Sequence, residues 1–313
     1  MANAYRTILD WGVAINGADE ATIYDGTLIK KKSLLSVMPF FPTEGLESSV
    51  KKVTARPSVS TRGFNEGVDS KKTASENVNF KVSLYQEFSN VDQQQADMYP
   101  ERLGGAKAYR ESEDLEFVEA LSNGFMDDLF YATTASNPND FNGLESYLGT
   151  ANTTTIIDAG GSGSDCTSIY FLKLGKKGVY GLFNESSSSL PKATDRGVQN
   201  VTDSNSKTFA AYQTQFDWKV GLAVNENGIG AIRSIKSGSL PTLANMDTVI
   251  DNVKNGVDVI LCNRKGLGYI KELKTSSLLK YAPGDTELSV GVMTLDGIPI
   301  VVDDAITNTE TDI

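Results

Sequence analysis

The chain predicts an α+β fold, and three observations carry that prediction. Over residues 166–235, short aromatic and β-branched runs alternate with Gly, Asn, Asp and Ser, the pattern of antiparallel hairpins. Ahead of them, one long stretch repeats apolar residues at spacings of three and four, the mark of a helix with a core face. After them, the order hairpins, helix, strand, strand lacks the regular alternation of a parallel α/β sheet.

In chain order, residues 2–14 suit a short helix with Ile8, Leu9 and Val13 on one side. Lys30, Lys31 and Lys32 read as a solvated turn before Leu34, Leu35 and Val37, and Pro39-Phe40-Phe41-Pro42 stops regular structure. This opening reads as an arm laid over something else. Residues 48–91 are polar and extended. They read as two long strands and a polar tip carrying Gly63, Gly67 and Lys71-Lys72, a hairpin that projects. Alternation around Pro57 over residues 53–60 places the first strand at an edge. In the second strand Val78, Phe80, Val82 and Leu84 share a face.

Pro100 and Gly104-Gly105 break residues 92–108. The clearest helix follows over residues 112–131, with Ser112 as its cap and Glu111, Glu113 and Asp114 at the positive end of its dipole. Leu115, Val118, Leu121, Phe125, Met126 and Leu129 form its stripe, a core face by spacing. A turn over residues 136–144 ends in Phe141-Asn142-Gly143-Leu144. Residues 150–165, centred on Gly160-Gly161-Ser162-Gly163-Ser164, read as a flexible crossing between packed regions. Residues 168–174 and 179–183 pair as a hairpin across the Gly175–Gly178 turn. The run at residues 211–224 is closed by Asn225-Glu226-Asn227-Gly228. A second helix covers residues 243–255, capped by Thr242 and stopped at Gly256. Residues 257–261 read as a buried strand, and residues 290–302 as two short runs bent at Asp296-Gly297.

The chain has 313 residues, 40% of them hydrophobic and 22% charged, with a formal net charge of −11. That balance argues against a groove built to grip nucleic acid by its phosphates. It is compatible with a wall that merely encloses a polyanion. Residues 1–14 lack the pattern of a secretory leader, and no apolar run approaches the roughly 20 residues that cross a bilayer. Cys166 and Cys262 are expected as two reduced thiols. The sequons opened by Asn152, Asn184 and Asn200 are then chance matches.

The chemical inventory is sparse. Histidine is absent, which removes Ser-His-Asp and Cys-His catalysis and every imidazole metal site. The Gly160–Ser164 cluster lacks the Gly-Lys-Ser/Thr ending of a phosphate loop, and Cys166 stands where a dinucleotide fingerprint needs its third glycine. Residues 251–262 fail as a calcium loop, with Val253 and Cys262 at ligand positions. Asp127-Asp128 and Asp303-Asp304 are carboxylate pairs, but adjacent residues usually point apart, so a solvated surface is their plain reading. No catalytic residue, metal ligand or cofactor site is expected.

Taken in order, these elements resemble the major capsid proteins of tailed double-stranded DNA bacteriophages, the HK97-like fold. Arg62-Gly63-Phe64-Asn65-Glu66 is similar to the start of that family's extended loop. Residues 112–131 are similar to its spine helix, and residues 141–148 to the segment that follows it. Val179-Tyr180-Gly181-Leu182-Phe183 and residues 216–222 are similar to a short-tailed-phage branch, some members of which permute the strand order. Residues 293–302 are similar to the closing strands.

The resemblance implies a division into an N-terminal arm (1–47), an extended loop (48–91), a spine helix with peripheral region (92–165), a β-rich and axial region (166–285) and closing strands (286–313). It implies a structural protein without enzymatic activity, assembling with itself as hexamers and pentamers. It also implies a separate scaffolding protein, because no long charged helical leader is present, together with a portal and a decoration protein. The shell encloses DNA without reading its sequence, in a virion assembled in the host cytoplasm, with no membrane partner. Arg62, Phe64, Asn65, Glu66, Lys71, Lys72 and Phe80 are the expected inter-subunit contacts. No lysine–asparagine cross-link is carried over. Two other classes stay open on sequence: a carbohydrate-binding or glycan-cleaving β-rich protein, whose aromatic cleft would draw on Trp11 and Trp218, and another virion component such as a tail or decoration protein.

Overall fold

The computed structural model describes residues 33–152, 154–185, 190–273, 279–282 and 292–313. The helix expected over residues 2–14 and the triple lysine at 30–32 lie outside them. Within them, two mixed sheets share a core, and the first is built around the 17-residue strand β8 (Thr208–Val224). One edge of β8 pairs antiparallel with β3 (Ala74–Asp92), from Val82↔Gly221 to Asp92↔Ala211. Its other edge takes β6 (Val179–Asn184) and β7 (Lys192–Thr202) end to end. β1 (Phe40–Thr43) runs parallel to β6, and β2 (Glu47–Ala55) closes the far side against β3. Pro42 therefore does not stop regular structure. β1 is an edge strand, where a missing N–H is tolerated.

The second sheet runs in the order β11 (Leu279–Ala282), β12 (Val292–Leu295), β13 (Ile298–Val302), β10 (Val259–Cys262), β5 (Thr167–Leu172), β9 (Ile229–Ile235), β4 (Ile156–Asp158). Here the structure corrects the hairpin reading. β5 and β6 lie in different sheets, as do β8 and β9. Every residue of β5, β6 and β9 is buried, so each strand needs cover on both faces, which an isolated hairpin does not supply. The chain crosses between sheets at residues 173–178, where Asp258 accepts from Leu174 N–H (2.9 Å) and from Lys173 Nζ (2.8 Å). It crosses back at residues 225–228. The two crossings are hydrogen-bonded to each other, Asn225 N–H to Gly178 O (2.8 Å) and Lys173 N–H to Gly228 O (2.9 Å). A Cβ on Gly228 would stand 2.4 Å from Gly178 Cα, and one on Gly178 would stand 1.9 Å from Lys173 O, so both positions require glycine.

The long helix is α3 (Gly105–Tyr131), 27 residues and therefore about 40 Å. It begins seven residues before Ser112. Gly104, at φ 99°, ends the preceding turn and opens the helix, while Ser112 sits inside and donates to Tyr109 O (2.7 Å). Its first turns face solvent, so no apolar stripe marks them in the sequence. Val118, Leu121, Phe125, Met126 and Leu129 are buried, but Leu115 is 40% exposed and leaves the stripe. Phe125 packs edge-on against Trp218 of β8 at 4.9 Å, and Phe117 stacks on Phe216 at 6.1 Å. The Phe141–Leu144 knot seats under the helix end. A Cβ on Gly143 would come within 2.6 Å of Asp128 O, so the close approach excludes any side chain.

Further elements extend the sequence reading. α1 (Ser33–Val37) docks Leu34 and Leu35 on the chain's own core. α2 (Gln93–Asp97) is capped by the Asp92 carboxylate. The glycine-rich crossing is docked rather than free: β4 pairs with β9, and Gly161 N–H donates to Ser234 O (2.9 Å). α4 (Leu243–Asn252) is capped by Thr242 as its sequence indicates. It ends three residues early, because Asn255 and Gly256 turn at positive φ. α5 (Arg264–Glu272), capped by Asn263, is absent from the sequence reading. The β12–β13 hairpin turns at Asp296 (φ 50°) and Gly297 (φ 81°), as its residues require.

Candidate inter-subunit surface

The projecting element is the β2–β3 hairpin. Its root is held by the body: Phe80 and Val82 are buried with Tyr180, Leu182 and Ala223, and Val50 and Val78 pack against them. Its regular pairing ends at Ala55↔Ala74. Residues 56–73 beyond it are exposed without exception. Pro57 falls in this tip, outside β2.

Local bonds shape the tip. Asn65 adopts φ 64°. Glu66 accepts from Gly63 N–H (2.9 Å), and the Arg62 guanidinium donates to Glu66 O (3.4 Å). Lys71 ties the two limbs, donating from Nζ to Ser58 Oγ (2.8 Å) and Ser60 Oγ (3.0 Å). Phe64 and Val59 are 103% and 97% exposed, two apolar side chains held away from any core. Lys72 is exposed beside them. The structure thus brings Arg62, Phe64, Asn65, Glu66, Lys71 and Lys72 together on one tip. Phe80 is the exception. At 7% exposure it is part of its own subunit's packing, because alternation identifies a face but not the body that covers it.

The interior polar groups do structural work. Arg233 is buried and pairs with Glu145 and, at 3.7 Å, with Glu310. Tyr131 Oη donates to Glu310 (2.7 Å), and Ser168 Oγ also donates to it. Burial raises the Glu310 carboxyl above its ordinary range, opposed by Ser168, Tyr131 and the Arg233 charge. The two aspartate pairs serve separate partners. Asp128 accepts from Tyr85 Oη (2.5 Å), Asp304 takes Arg264, and Asp303 accepts from Ala305 N–H (3.1 Å). Both cysteines are buried and free, and burial pushes the Cys262 thiol up to about 12. Asn184 is buried with its amide bonded to Gly45 O. Among the described residues no group of three or more His, Cys, Asp or Glu could hold a metal ion, and no helix is long and apolar enough to cross a membrane. Trp218 is wholly buried and cannot stack on a sugar.

The chain carries the family pattern of major capsid protein GP7 over residues 17–313. No curated protein matches it. Among solved structures, a chain from bacteriophage Epsilon15 superposes with a TM-score of 0.63 at 22% identity, covering 88% of this chain and 87% of that one. The bacteriophage JBD30 capsid superposes at 0.56 with 11% identity, covering 90% and 93%. At such identities the likeness concerns the fold, the HK97-like fold of phage capsids. With the family pattern running through nearly its whole length, the chain belongs to the GP7 family of major capsid proteins and is a shell-forming structural protein of the virion.

Proposed function

We propose that many copies of this chain tile an icosahedral shell around packaged double-stranded DNA, as hexamers and pentamers, and that the β2–β3 tip is the clasp between neighbours. One observation carries the reading: residues 56–73 expose every side chain, including Phe64 and Val59, on an element with no body of its own. Exposed apolar groups on such an arm gain partners only from another surface. A stable contact buries about 1,600 Å², which a clasp supplies more readily than a compact subunit alone. Arg62, Asn65, Glu66, Lys71 and Lys72 then shape and flank the Phe64 contact.

In this reading the chain divides into an arm (1–47), an extended loop (48–91), a spine and peripheral region (92–165), a β-rich axial region (166–285) and closing strands (286–313). Catalysis is no part of it. A separate scaffolding protein, a portal and a decoration protein complete the particle, assembled in the host cytoplasm. Limited trypsin treatment tests the clasp. Cleavage near Arg62, Lys71 or Lys72 is expected in the free subunit and strong protection in particles. Deleting residues 63–75 should leave a folded subunit that forms shells poorly. Equal cleavage in both forms, or normal assembly of the deletion, removes the clasp.

A further inference from the structure

The body of the subunit is electrically lopsided along β3 and β8. At the hairpin root lies a cleft of about 700 Å³ lined by Lys51, Lys52, Arg56, Lys177 and Lys254, with Asn225 and Asn227 between them. Among the described side chains, no carboxylate lines it. Among the described residues, Lys52 alone of these cations has a carboxylate partner near it, Glu76 at 3.9 Å. At the other end of the same two strands sits the solvent-facing half of α3. Tyr212 Oη donates to Asp97 (3.1 Å) there, and Thr214 Oγ1 to Asp114 (3.0 Å). Residues 92–120 carry eight carboxylates against three cations. Glu113 and Glu116, one helical turn apart on α3, have no ion pair among the described residues.

The two ends are far apart. The pairs Val82↔Gly221 and Asp92↔Ala211 bound a run of ten residue steps, about 34 Å at strand rise. Cleft and acidic helix therefore cannot meet within one subunit. Two different, complementary patches at opposite ends of a body are the requirement for a head-to-tail contact, which closes into a ring when its rotation divides the circle. Resting on the shell-forming reading, we propose that the basic cleft receives the acidic half of α3, with Glu113 and Glu116, from the next copy of this chain. Carboxylates of a second copy, rather than DNA phosphates, suit a chain of net charge −11. The complementary surface is present on the same molecule, in equal stoichiometry. Such pairing steers encounter and fixes register, and like charges brought into that contact oppose it strongly.

Charge reversal and exchange test the pairing in the full chain. Lys51→Glu with Lys254→Glu, and separately Glu113→Lys with Glu116→Lys, should each lower the yield of rings and shells by about tenfold or more, through like-charge contact. All four together should recover most of that yield. Neutral Lys51→Gln with Lys254→Gln guards against misfolding. It should fold as the parent does by circular dichroism, and assemble with a flatter dependence on salt. Wild-type yield from either reversed variant, or no recovery on exchange, overturns the pairing while leaving shell formation intact. So do cleft-reversed particles that form normally and retain less DNA, which would assign the cleft to phosphate. A wild-type chain that forms no particles brings down the shell reading itself, and the pairing with it.

Discussion

Arg233, at 1% exposure, stands between Glu145 and Glu310, and Glu310 arrives from the last residues of the chain. Taking such groups from water is costly, and removing one partner leaves the others uncompensated. Arg233→Met should therefore destabilise the subunit by about 3–5 kcal/mol at neutral pH. The pH dependence follows from the direction of the Glu310 shift. Its folded value lies above the ordinary 4.5 because burial disfavours the charge. A raised carboxyl favours the native state most below its unfolded value, and that contribution is lost as pH rises through the folded value. In Arg233→Met the loss should then be larger at higher pH, where Glu310 carries more charge, than at lower pH, where it carries less. Urea midpoints at the two pH values measure this. An equal loss at both would show that Glu310 is not the group Arg233 balances.

The elements most readable in the sequence are those whose signals are local. The β2–β3 hairpin shows alternation in its strands and polarity in its tip, and the β12–β13 turn is spelled by Asp296-Gly297. The tip residues of the candidate surface were readable for the same reason, whereas Phe80 required knowing which body meets its face. α5 was hidden because Gly266 and Gly268 weaken a helical signal in nine residues. β7 was hidden because nearly all of it is exposed and shows no alternation. α3 displays both cases: its apolar half was plain and its solvated first turns were not. That contrast makes a test. Leu121→Ala should cost about 2–5 kcal/mol, since Leu121 packs in the core, and should lower shell yield. Leu115→Ala, on the exposed side of the same helix, should change stability by about 0.5 kcal/mol or less. Thermal melts of the two variants compare them directly, and equal losses would mean the helix is rotated from the packing described.

At the scale of the whole molecule, sheet membership was the least readable feature. Strands such as β5 and β6 are buried throughout and carry mostly apolar residues without alternation, and that pattern is the same whichever neighbour they take. Only the folded chain shows two crossings, at residues 173–178 and 225–228, that pass between sheets and bond to each other. The largest cluster of buried side chains draws on both sheets, with Trp218, Val220 and Leu222 from the first and Tyr170, Leu172, Val259 and Leu261 from the second. Neither sheet can open without exposing that shared core, so the two should unfold as one cooperative unit. Two probes sit on opposite sides of this claim. Trp218 is buried in the first sheet, and Cys262 is buried in the second with a thiol that burial holds in its unreactive form. In a Trp11→Phe, Cys166→Ser background, Trp218 fluorescence and Cys262 labelling should report the same denaturant midpoint. Labelling of Cys262 at denaturant concentrations where Trp218 emission is still native would mean that the second sheet opens alone. The interlocked crossings would then join two independent units rather than bind one.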